Sequence, residues 1–529
     1  MQGHDSHRPL ACIEIGTNSV QLLVAQVQQG VLRKLAGEKY SLQLSHSLKP
    51  NGALAEQCVQ YLLEVVGMLL QIAQAYQARV FLFATQILRT AQNTPQIIAQ
   101  IERLYCQRIE VLPGHEEAFL SGLAMRYALA LPESCCFLGV DIGGGSTEVV
   151  WMRGAIPQAS LSLPVGHLNL LPRGNVTTPL KKKERKQVQQ KVLDLLMQCR
   201  LPAFEAQAYV LCSGVGKTLA SLFARAAPTG LECDLNGQSF MRQELKRLAA
   251  RLYADPQEFQ AMFAQELTVR RAKSLLPGVL ILEALTQHFS VPSWTFAMMG
   301  VREGVLLREI RRAGCENLRS WSFRELATRF GVDDAFATLL CRRCLHLFEL
   351  LRQHEALPQE VIAMESPRPG ELRASHLLQI CAVTSEWGKQ VHLSKYPRHS
   401  CYLSMFADIP GLSPQQRQVV AVVNRFARKG HVSRKHLEAS HLPLQQLRLA
   451  RVLAALLKTV HASLRTRQEC LMNLQLSKQG VLSFTHQGCA AYPCVNVQGL
   501  QTSLESLNKV LVTPLTLSGK ADTFANMGA

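Results

Sequence analysis

Two segments of the sequence repeat one pattern of residue types that suits phosphate and metal binding. Residues 14–19 read Glu-Ile-Gly-Thr-Asn-Ser, and residues 141–148 read Asp-Ile-Gly-Gly-Gly-Ser-Thr-Glu. In each segment a carboxylate lies in a strand-like apolar run, a glycine turn with hydroxyl residues follows, and a second apolar run returns. This pattern predicts a β-hairpin whose turn lies against a phosphate, because glycine permits close backbone approach and hydroxyl groups donate hydrogen bonds.

The two predicted hairpins supply most of the candidate site residues. Backbone N–H groups and hydroxyls at the turns are the predicted phosphate donors, and the carboxylates are the predicted ligands of a hydrated Mg²⁺ ion. The predicted phosphate-binding residues are Thr17, Asn18, Ser19, Gly143, Gly144, Gly145, Ser146 and Thr147, and the predicted Mg²⁺ ligands are Glu14, Asp141 and Glu148.

The repeat predicts two related lobes with a phosphate compound between them. Strand and helix patterns alternate in both halves of residues 10–310, which indicates an α/β fold for each lobe. From about residue 320 the periodicity is helical, and strands return after residue 470. The predicted domains are lobe I at 1–130, lobe II at 131–315, a helical domain at 316–468 and a small α/β domain at 469–529.

The composition indicates an anionic partner. The chain of 529 residues has a formal net charge of +18, which suits a polyanion, either a nucleic acid or a polyphosphorylated ligand. The sequence contains no aromatic-rich RNA motif or zinc-finger spacing, so we expect no nucleic-acid partner. The polar N-terminal residues, the lack of an 18-residue apolar run and 16 cysteines lead us to expect a cytoplasmic protein without a transmembrane segment.

Ordered motifs across residues 11–310 resemble those of the exopolyphosphatase and guanosine pentaphosphate phosphatase family. The two hairpin segments are followed in register by residues 84–93 (Ala-Thr-Gln-Ile-Leu-Arg-Thr-Ala-Gln-Asn), 112–118 (Leu-Pro-Gly-His-Glu-Glu-Ala), 213–214 (Ser-Gly) and 300–304 (Gly-Val-Arg-Glu-Gly). The resemblance implies two lobes of the actin, sugar kinase and heat-shock ATPase type, followed by a helical HD-like domain and a small C-terminal α/β domain. The resemblance also implies a dimer built through the helical domain, so we expect a homodimer.

The resemblance also assigns roles to individual residues. Glu117 is expected to be the general base that activates water, with its neighbour Glu116 as the less favoured alternative. Arg89 can make a bidentate phosphate contact, and Ser213 and Gly214 form a turn that approaches the ligand from lobe II. The basic stretch Lys181–Lys186, together with Arg271, is a candidate for holding distal phosphates.

Two departures from the family pattern bear on activity. Glu14 stands where the family has Asp, and its longer side chain could shift the metal, since Mg²⁺ demands near-ideal geometry. The family-like Leu-His-Asp-Ile-Gly stretch of the helical domain corresponds to residues 384–388, which here read Thr-Ser-Glu-Trp-Gly. Because an HD-type centre needs imidazole and carboxylate ligands, we predict that this domain is a scaffold, and substrate binding stays open as a second role.

Three functions remain open at the level of sequence. The first is a hydrolase that releases terminal phosphate from inorganic polyphosphate or converts guanosine pentaphosphate to the tetraphosphate. The second is an ATP-dependent kinase or ATPase of the same superfamily; residues 214–218 mimic the end of a P-loop, but position 211 is Leu where that motif needs Gly. The third is a weakly active or inactive sensor that binds polyphosphate or guanosine tetraphosphate.

Overall fold

The fold is taken from a computed structural model. It describes residues 8–28, 30–171, 179–199, 204–226, 235–264, 267, 269–313, 323–367, 371–407, 409, 411–429, 442–464, 471–477, 479–486 and 497–518. The chain divides into two compact units, residues 1–227 with 235–320, and residues 228–234 with 321–529. The predicted lobes I and II fall in the first unit apart from residues 228–234.

The first lobe is a five-stranded sheet in the order β3-β2-β1-β4-β5. Strands β1 to β3 form an antiparallel meander, and β4 and β5 join it in parallel. The strands are β1 (Leu10–Ile15), β2 (Ser19–Gln28), β3 (Val31–Ser41), β4 (Arg79–Ala84) and β5 (Ile109–Val111), and the helices are α1 (Glu56–Ala75), α2 (Gln86–Thr90), α3 (Thr94–Tyr105) and α4 (Gly114–Ala128), with a 3₁₀ turn at Leu44–Ser47.

The second lobe repeats this arrangement in a six-stranded sheet of order β10-β11-β9-β6-β7-β8. Its strands are β6 (Cys136–Ile142), β7 (Thr147–Arg153), β8 (Ile156–Leu163), β9 (Ala208–Cys212), β10 (Ser239–Met241) and β11 (Ser293–Phe296). Its helices are α5 (Lys182–Met197), α6 (Ser213–Ala226), α7 (Arg242–Ala254), α8 (Pro256–Met262), α9 (Val269–His288) and α10 (Val301–Arg312). In both lobes a hairpin begins the sheet, and a parallel strand pairs beside its first strand.

Apolar side chains on both faces of the sheets hold the helices in place. Helices α1 and α3 cover one face of the first sheet through residues such as Leu62, Leu69 and Ile101. Helix α10 packs against β1 and α4, so the chain returns to the first lobe at its end. The β1–β2 and β6–β7 turns are therefore fixed by buried strands on both sides.

Helix α1 alone among the described helices is long and apolar enough to cross a membrane by composition, with a mean hydropathy of 1.4 over its best window. Polar residues interrupt its apolar residues, so it does not count as an uninterrupted apolar run in the sequence. Leu62, Val65, Val66 and Leu69 of α1 are buried in the core of the first lobe. This packing is typical of a core helix in an α/β domain.

The second unit has one core shared by helices and a small sheet. Its helices are α11 (Phe323–Arg329), α12 (Asp334–Gln353), α13 (Gln359–Ala363), α14 (Ala374–Thr384), α15 (Tyr396–Phe406), α16 (Pro414–Phe426), α17 (Leu444–Ser463) and α18 (Val497–Asn508), with a 3₁₀ turn at Trp387–Gln390. Its sheet has the order β12-β13-β14, formed by Leu471–Leu476, Val481–His486 and Thr516–Ser518. Leu482 and Leu504 from this last segment join Leu347 and Leu453 of the helices in one cluster.

Candidate active site

The two glycine turns face each other within the first unit. Each is closed in the same way, by a hydrogen bond from Gly16 N to Ser19 O (3.0 Å) in one and from Gly143 N to Ser146 O (2.9 Å) in the other. A Cβ atom on Gly144 would lie 3.4 Å from Cβ of Thr17, so the turns approach closely. The structure thus brings Thr17 and the glycines of the second turn together, as the repeat predicted.

Other residues of the first turn brace it from behind. The Asn18 carbonyl accepts hydrogen bonds from the backbone N–H groups of Leu42 and Gln43. Ser19 is buried at the start of β2, and the Thr17 hydroxyl donates to Gln86 Oε1 at 3.2 Å. These contacts fix the backbone conformation of the turn. Gln86 is a positioning residue that the sequence reasoning did not single out.

The hydroxyls of the second turn are engaged within the protein. Thr147 is fully buried and donates its hydroxyl to the Val165 carbonyl at 2.6 Å. The Ser146 hydroxyl is hydrogen-bonded to the Glu148 carboxylate. The prediction that the Thr147 hydroxyl donates to phosphate therefore differs from the structure, because strand alternation turns this side chain inward. The backbone of the turn, not these hydroxyls, is the part that faces Thr17.

Four carboxylates gather beside the turns, and burial raises the pKa of each. They are Glu14 on β1, Glu117 on α4, Asp141 on β6 and Glu148 on β7. The negative charge of Asp141 further raises the pKa values of Glu14, Glu117 and Glu148. Such mutual repulsion makes the cleft a favourable place for a bound cation or for a proton.

Glu117 has the environment of a base that works near neutral pH. Burial raises its pKa to about 7, while the nearby Arg89 opposes the rise. Nη1 of Arg89 donates to Glu117 Oε2 at 2.6 Å and to the Leu112 carbonyl at 2.8 Å. Since the Glu117 side chain is only 10% exposed, the ion pair fixes its direction at the start of α4. A general base is most effective when its pKa lies near the working pH.

Glu116 points elsewhere. Successive residues of a helix are turned by about 100°, and the Glu116 carboxylate binds Arg308 of α10 at 2.5 Å. Arg308 also binds Glu110 at 2.9 Å and Glu309 at 2.9 Å. Glu116 therefore belongs to an ionic cluster that joins α4, β5 and α10. Of the two adjacent candidates for the base, the structure brings only Glu117 to Arg89 and the cleft carboxylates.

Hydrogen bonds from neighbouring serine hydroxyls orient the carboxylates of two candidate metal ligands. Asp141 Oδ2 accepts from Ser121 Oγ at 3.1 Å, and Glu148 Oε1 accepts from Ser162 Oγ at 2.8 Å. Within the described ranges, no three His, Cys, Asp or Glu side chains converge closely enough to enclose one ion. Mg²⁺ commonly uses one or two protein carboxylates and completes its shell with water and phosphate oxygens, so this all-oxygen donor set fits it.

Arg302 lies in the cleft, although its sequence position was singled out only as part of the motif at residues 300–304. Its Nε atom lies 3.5 Å from Glu14 Oε2. The signal that could have found it is position: Arg302 lies in the first turn of α10, which follows strand β11 and packs on β1. The Glu14 that replaces Asp in the family pattern thus has a cation beside it.

The Ser213–Gly214 turn reaches the cleft through its neighbour Cys212. Cys212 is hydrogen-bonded to the Asp141 carboxylate. Ser213 has a left-handed backbone with φ of 95°, and space is open beside the Gly214 Cα. The Thr218 hydroxyl donates to the Gly214 carbonyl at 2.9 Å, which is ordinary bonding inside α6. This geometry agrees with rejecting residues 214–218 as a P-loop.

In the second unit, Ser385 and Glu386 stand at the positions of the missing HD pair, and Glu386 forms an ion pair with Lys389. Thr384 and Ser385 are fully buried. Asn424 Nδ2 donates to Thr384 Oγ1 at 2.6 Å and to Ser404 Oγ at 2.8 Å. The Ser385 hydroxyl donates to the Ala382 carbonyl at 2.9 Å. Thr384, Ser385 and Asn424 form part of a hydrogen-bonded core, and the scaffold role of the domain stays a prediction.

The paired α/β lobes with facing glycine turns define a protein of the actin-like fold with a phosphate-type cleft. Family models make the assignment specific. The model of the Ppx/GppA phosphatase family matches residues 23–313, and that of Ppx/GppA phosphatase domain III matches residues 318–489. The chain belongs to the Ppx/GppA phosphatase family.

Solved structures agree with this assignment. A Ppx/GppA family member from Aquifex aeolicus is 26% identical, with a TM-score of 0.52, and the match covers 57% of this chain and 98% of that one. An exopolyphosphatase from Cytophaga hutchinsonii is 21% identical with a TM-score of 0.51, covering 59% of this chain and 100% of that one. The second likeness supports the fold.

Proposed function

We propose that this protein is a phosphoanhydride hydrolase that releases terminal orthophosphate from inorganic polyphosphate, with Glu117 as the general base. The observation that carries the proposal is the Glu117 environment: a buried carboxyl with a pKa of about 7, oriented by Arg89 beside two glycine turns. Family membership supplies the phosphatase class.

Glu117 would act on the attacking water. As the water oxygen bonds to the terminal phosphorus, Glu117 accepts a water proton, and the bond from that phosphorus to the bridging oxygen breaks. The products are orthophosphate and a chain that is one phosphate shorter. General-base assistance of this kind contributes roughly 10² to 10⁴ in rate.

The turns and Arg89 would bind the reacting phosphoryl group. The backbone N–H groups at Gly144 and Gly145 are suited to equatorial phosphoryl oxygens, where negative charge is spread in the transition state. Arg89 can bind the same group while it keeps Glu117 in place. Glu14, Asp141 and Glu148 would hold Mg²⁺, which supplies positive charge to the phosphoryl oxygens when it is bound.

Polyphosphate is favoured over guanosine pentaphosphate because the net charge of +18 suits a long polyanion. The test is phosphate release from each substrate with Mg²⁺ and with EDTA, for wild type and Glu117→Gln. We expect faster release from polyphosphate, dependence on Mg²⁺ and loss in the variant. Faster release from guanosine pentaphosphate would reverse the substrate assignment, and equal activity of the variant would reject the base.

A binding sensor is the second candidate. The observation that favours it is the contact of Glu14 with Arg302, which engages a carboxylate proposed to bind Mg²⁺. A sensor would bind polyphosphate tightly, yet it would release no phosphate from either substrate at any Mg²⁺ concentration. The same assay, combined with a binding measurement, therefore separates the two functions.

A further inference from the structure

A cavity of about 440 Å³ opens in the second lobe between α5, α7 and α9. Its size is within the range of small-molecule sites. It is lined by cationic side chains from two helices, Lys182, Arg185 and Lys186 of α5 and Arg242 and Lys246 of α7, and by the polar residues Gln189, Glu283, Thr286 and Gln287.

The start of α7, which contributes to this cavity, lies at the other end of β11 from the cleft. The N–H of Arg242 donates to the carbonyl of Pro292, just before β11 begins. At the far end of the strand, Ala297 donates to Leu211, next to the Cys212 that binds Asp141. Four strand residues span roughly 13 Å, so the two ends belong to separate regions.

Helical spacing brings the cations onto facing surfaces. Lys182, Arg185 and Lys186 are spaced i, i+3 and i+4, and Arg242 and Lys246 are spaced i and i+4, so each set shares one helix face. Like charges at this spacing destabilise a helix. The approach of these cations from two helices to one cavity is therefore unfavourable, and a bound anion would relieve their mutual repulsion.

The nearby acids offset the charge of these cations only in part. Glu184 and Glu244 accept hydrogen bonds from the backbone N–H groups of Lys181 and Met241, where they cap α5 and α7. Burial raises the pKa of Glu283, the carboxyl that lines the cavity, while Arg185 and Lys246 oppose the rise. The Glu283 carboxylate accepts hydrogen bonds from Tyr253 and Gln189. Over the part of the chain that the structure describes, none of the five cavity cations forms a salt bridge.

Packing on an aromatic ring orients the Arg185 guanidinium for a phosphate group. Its guanidinium lies 4.8 Å from the centre of the Tyr253 ring, and its buried Nε has no hydrogen-bond partner among the described residues. Arginine suits phosphate because its N–H groups are arranged in a fixed fork. An orphaned buried N–H is costly, and a phosphate oxygen is the acceptor that would satisfy it.

We infer that this cavity is a second binding site for an anion with several adjacent phosphates. The inference rests on the proposed function for the substrate class only, since the residues and the location are independent of the cleft. Two sources share this chemistry: an internal segment of inorganic polyphosphate and a polyphosphorylated guanosine nucleotide.

The test measures binding stoichiometry in the cavity variant Arg185→Gln/Lys246→Gln. The matched control is Lys191→Gln/Arg247→Gln, which removes the same charge from exposed positions of the same helices outside the cavity. Calorimetric titrations in EDTA use tripolyphosphate in one arm and guanosine tetraphosphate in the other, and circular dichroism checks the fold.

We expect two binding events in wild type and in the control. In the cavity variant one event weakens by at least about tenfold, since charged hydrogen bonds are lost. The arm that shows this change identifies the ligand source. Equal weakening in cavity and control variants, or none in either arm, overturns the site. A cavity effect in a protein that releases no phosphate would reject the proposed function and leave this inference standing.

Discussion

Two groups of buried polar side chains in this protein differ in charge. In the cleft of the first unit, Glu117 and Asp141 are carboxylates whose pKa values are raised by burial. In the core of the second unit, Thr384, Ser385 and Asn424 are neutral and bind one another or backbone carbonyls. The first arrangement costs stability when its groups ionise, whereas in the second the hydroxyls and the amide donor of Asn424 are satisfied, and only Asn424 Oδ1 of these three residues lacks a partner among the described residues.

This difference in charge distinguishes the residues expected to act in function from those expected to support the fold. A neutral hydrogen-bonded core requires no ligand, and it lies beside Ser385 and Glu386, which replace the HD pair and of which Glu386 is paired with Lys389. Carboxylates that repel one another are retained where a proton, a cation or a substrate uses them. The comparison predicts that substitutions in the cleft change activity, and that substitutions in the polar core change stability.

Replacement of the base should have the largest effect. In Glu117→Gln we expect kcat/KM to fall by roughly 10² to 10⁴, with the fold retained because the side-chain volume is unchanged. The measurement is phosphate release together with thermal unfolding. The matched control Glu116→Gln removes the Arg308 ion pair, so it should lower stability and largely keep activity. An equal loss of activity in both variants would contradict the comparison.

Loss of Arg89 should have the next largest effect on activity. Arg89→Ala removes a phosphate contact and the cation that lowers the pKa of Glu117. We expect kcat/KM to fall by roughly 10- to 100-fold, the worth of a charged hydrogen bond, and the acid limb of the pH–rate profile to move to higher pH. Arg89→Lys should recover part of both. Movement of the limb to lower pH would show that Arg89 does not act on Glu117.

A substitution in the neutral core should lower stability and leave activity unchanged, unlike a substitution in the cleft. Asn424→Ala leaves the Thr384 and Ser404 hydroxyls without their amide donor. We expect the free energy of unfolding to fall by about 1–3 kcal/mol, while kcat/KM of the folded protein stays unchanged. Urea unfolding and an assay at low temperature test this. A loss of activity at full stability would remove the distinction between the two regions.

The smallest effect on activity should come from shortening the side chain of Glu14, a proposed Mg²⁺ ligand. Glu14→Asp withdraws the carboxylate from Arg302, which lies 3.5 Å away in the wild type. We expect the Mg²⁺ concentration for half-maximal activity to fall by a few fold, since Mg²⁺ is sensitive to ligand geometry. A titration of activity against Mg²⁺ measures it, with Glu14→Gln as the variant expected to require more metal. An identical titration curve for Glu14→Asp would show that Glu14 is no ligand.

Local patterns were sufficient to predict the lobes and the turns. Alternating apolar residues and glycine turns are short-range signals, so the β1–β2 and β6–β7 hairpins could be predicted. The Glu116–Arg308 pair could not, because its partners are 192 residues apart in sequence. The inward direction of Thr147 and the contact of Glu14 with Arg302 likewise depend on tertiary packing. The pKa of Glu117 depends on burial, which no local pattern reports.

The raised pKa of Glu117 also gives stability a defined pH dependence. Its folded pKa of about 7 lies above the ordinary value for glutamate. The stability that Glu117 contributes is therefore fully present below the unfolded pKa of about 4.3 and is lost as the pH rises through about 7. Activity should change in the opposite direction, since only the ionised carboxylate can accept a proton from water.

The most direct test of the account is the pH dependence of kcat/KM for the better of the two phosphate substrates at saturating Mg²⁺. We predict a plateau above the Glu117 pKa of about 7 and, below it, a tenfold fall for each pH unit, with the limb displaced upward in Arg89→Ala. A profile that stays flat from about pH 5.5 to 8 would show that no buried carboxylate of this cleft works as the base.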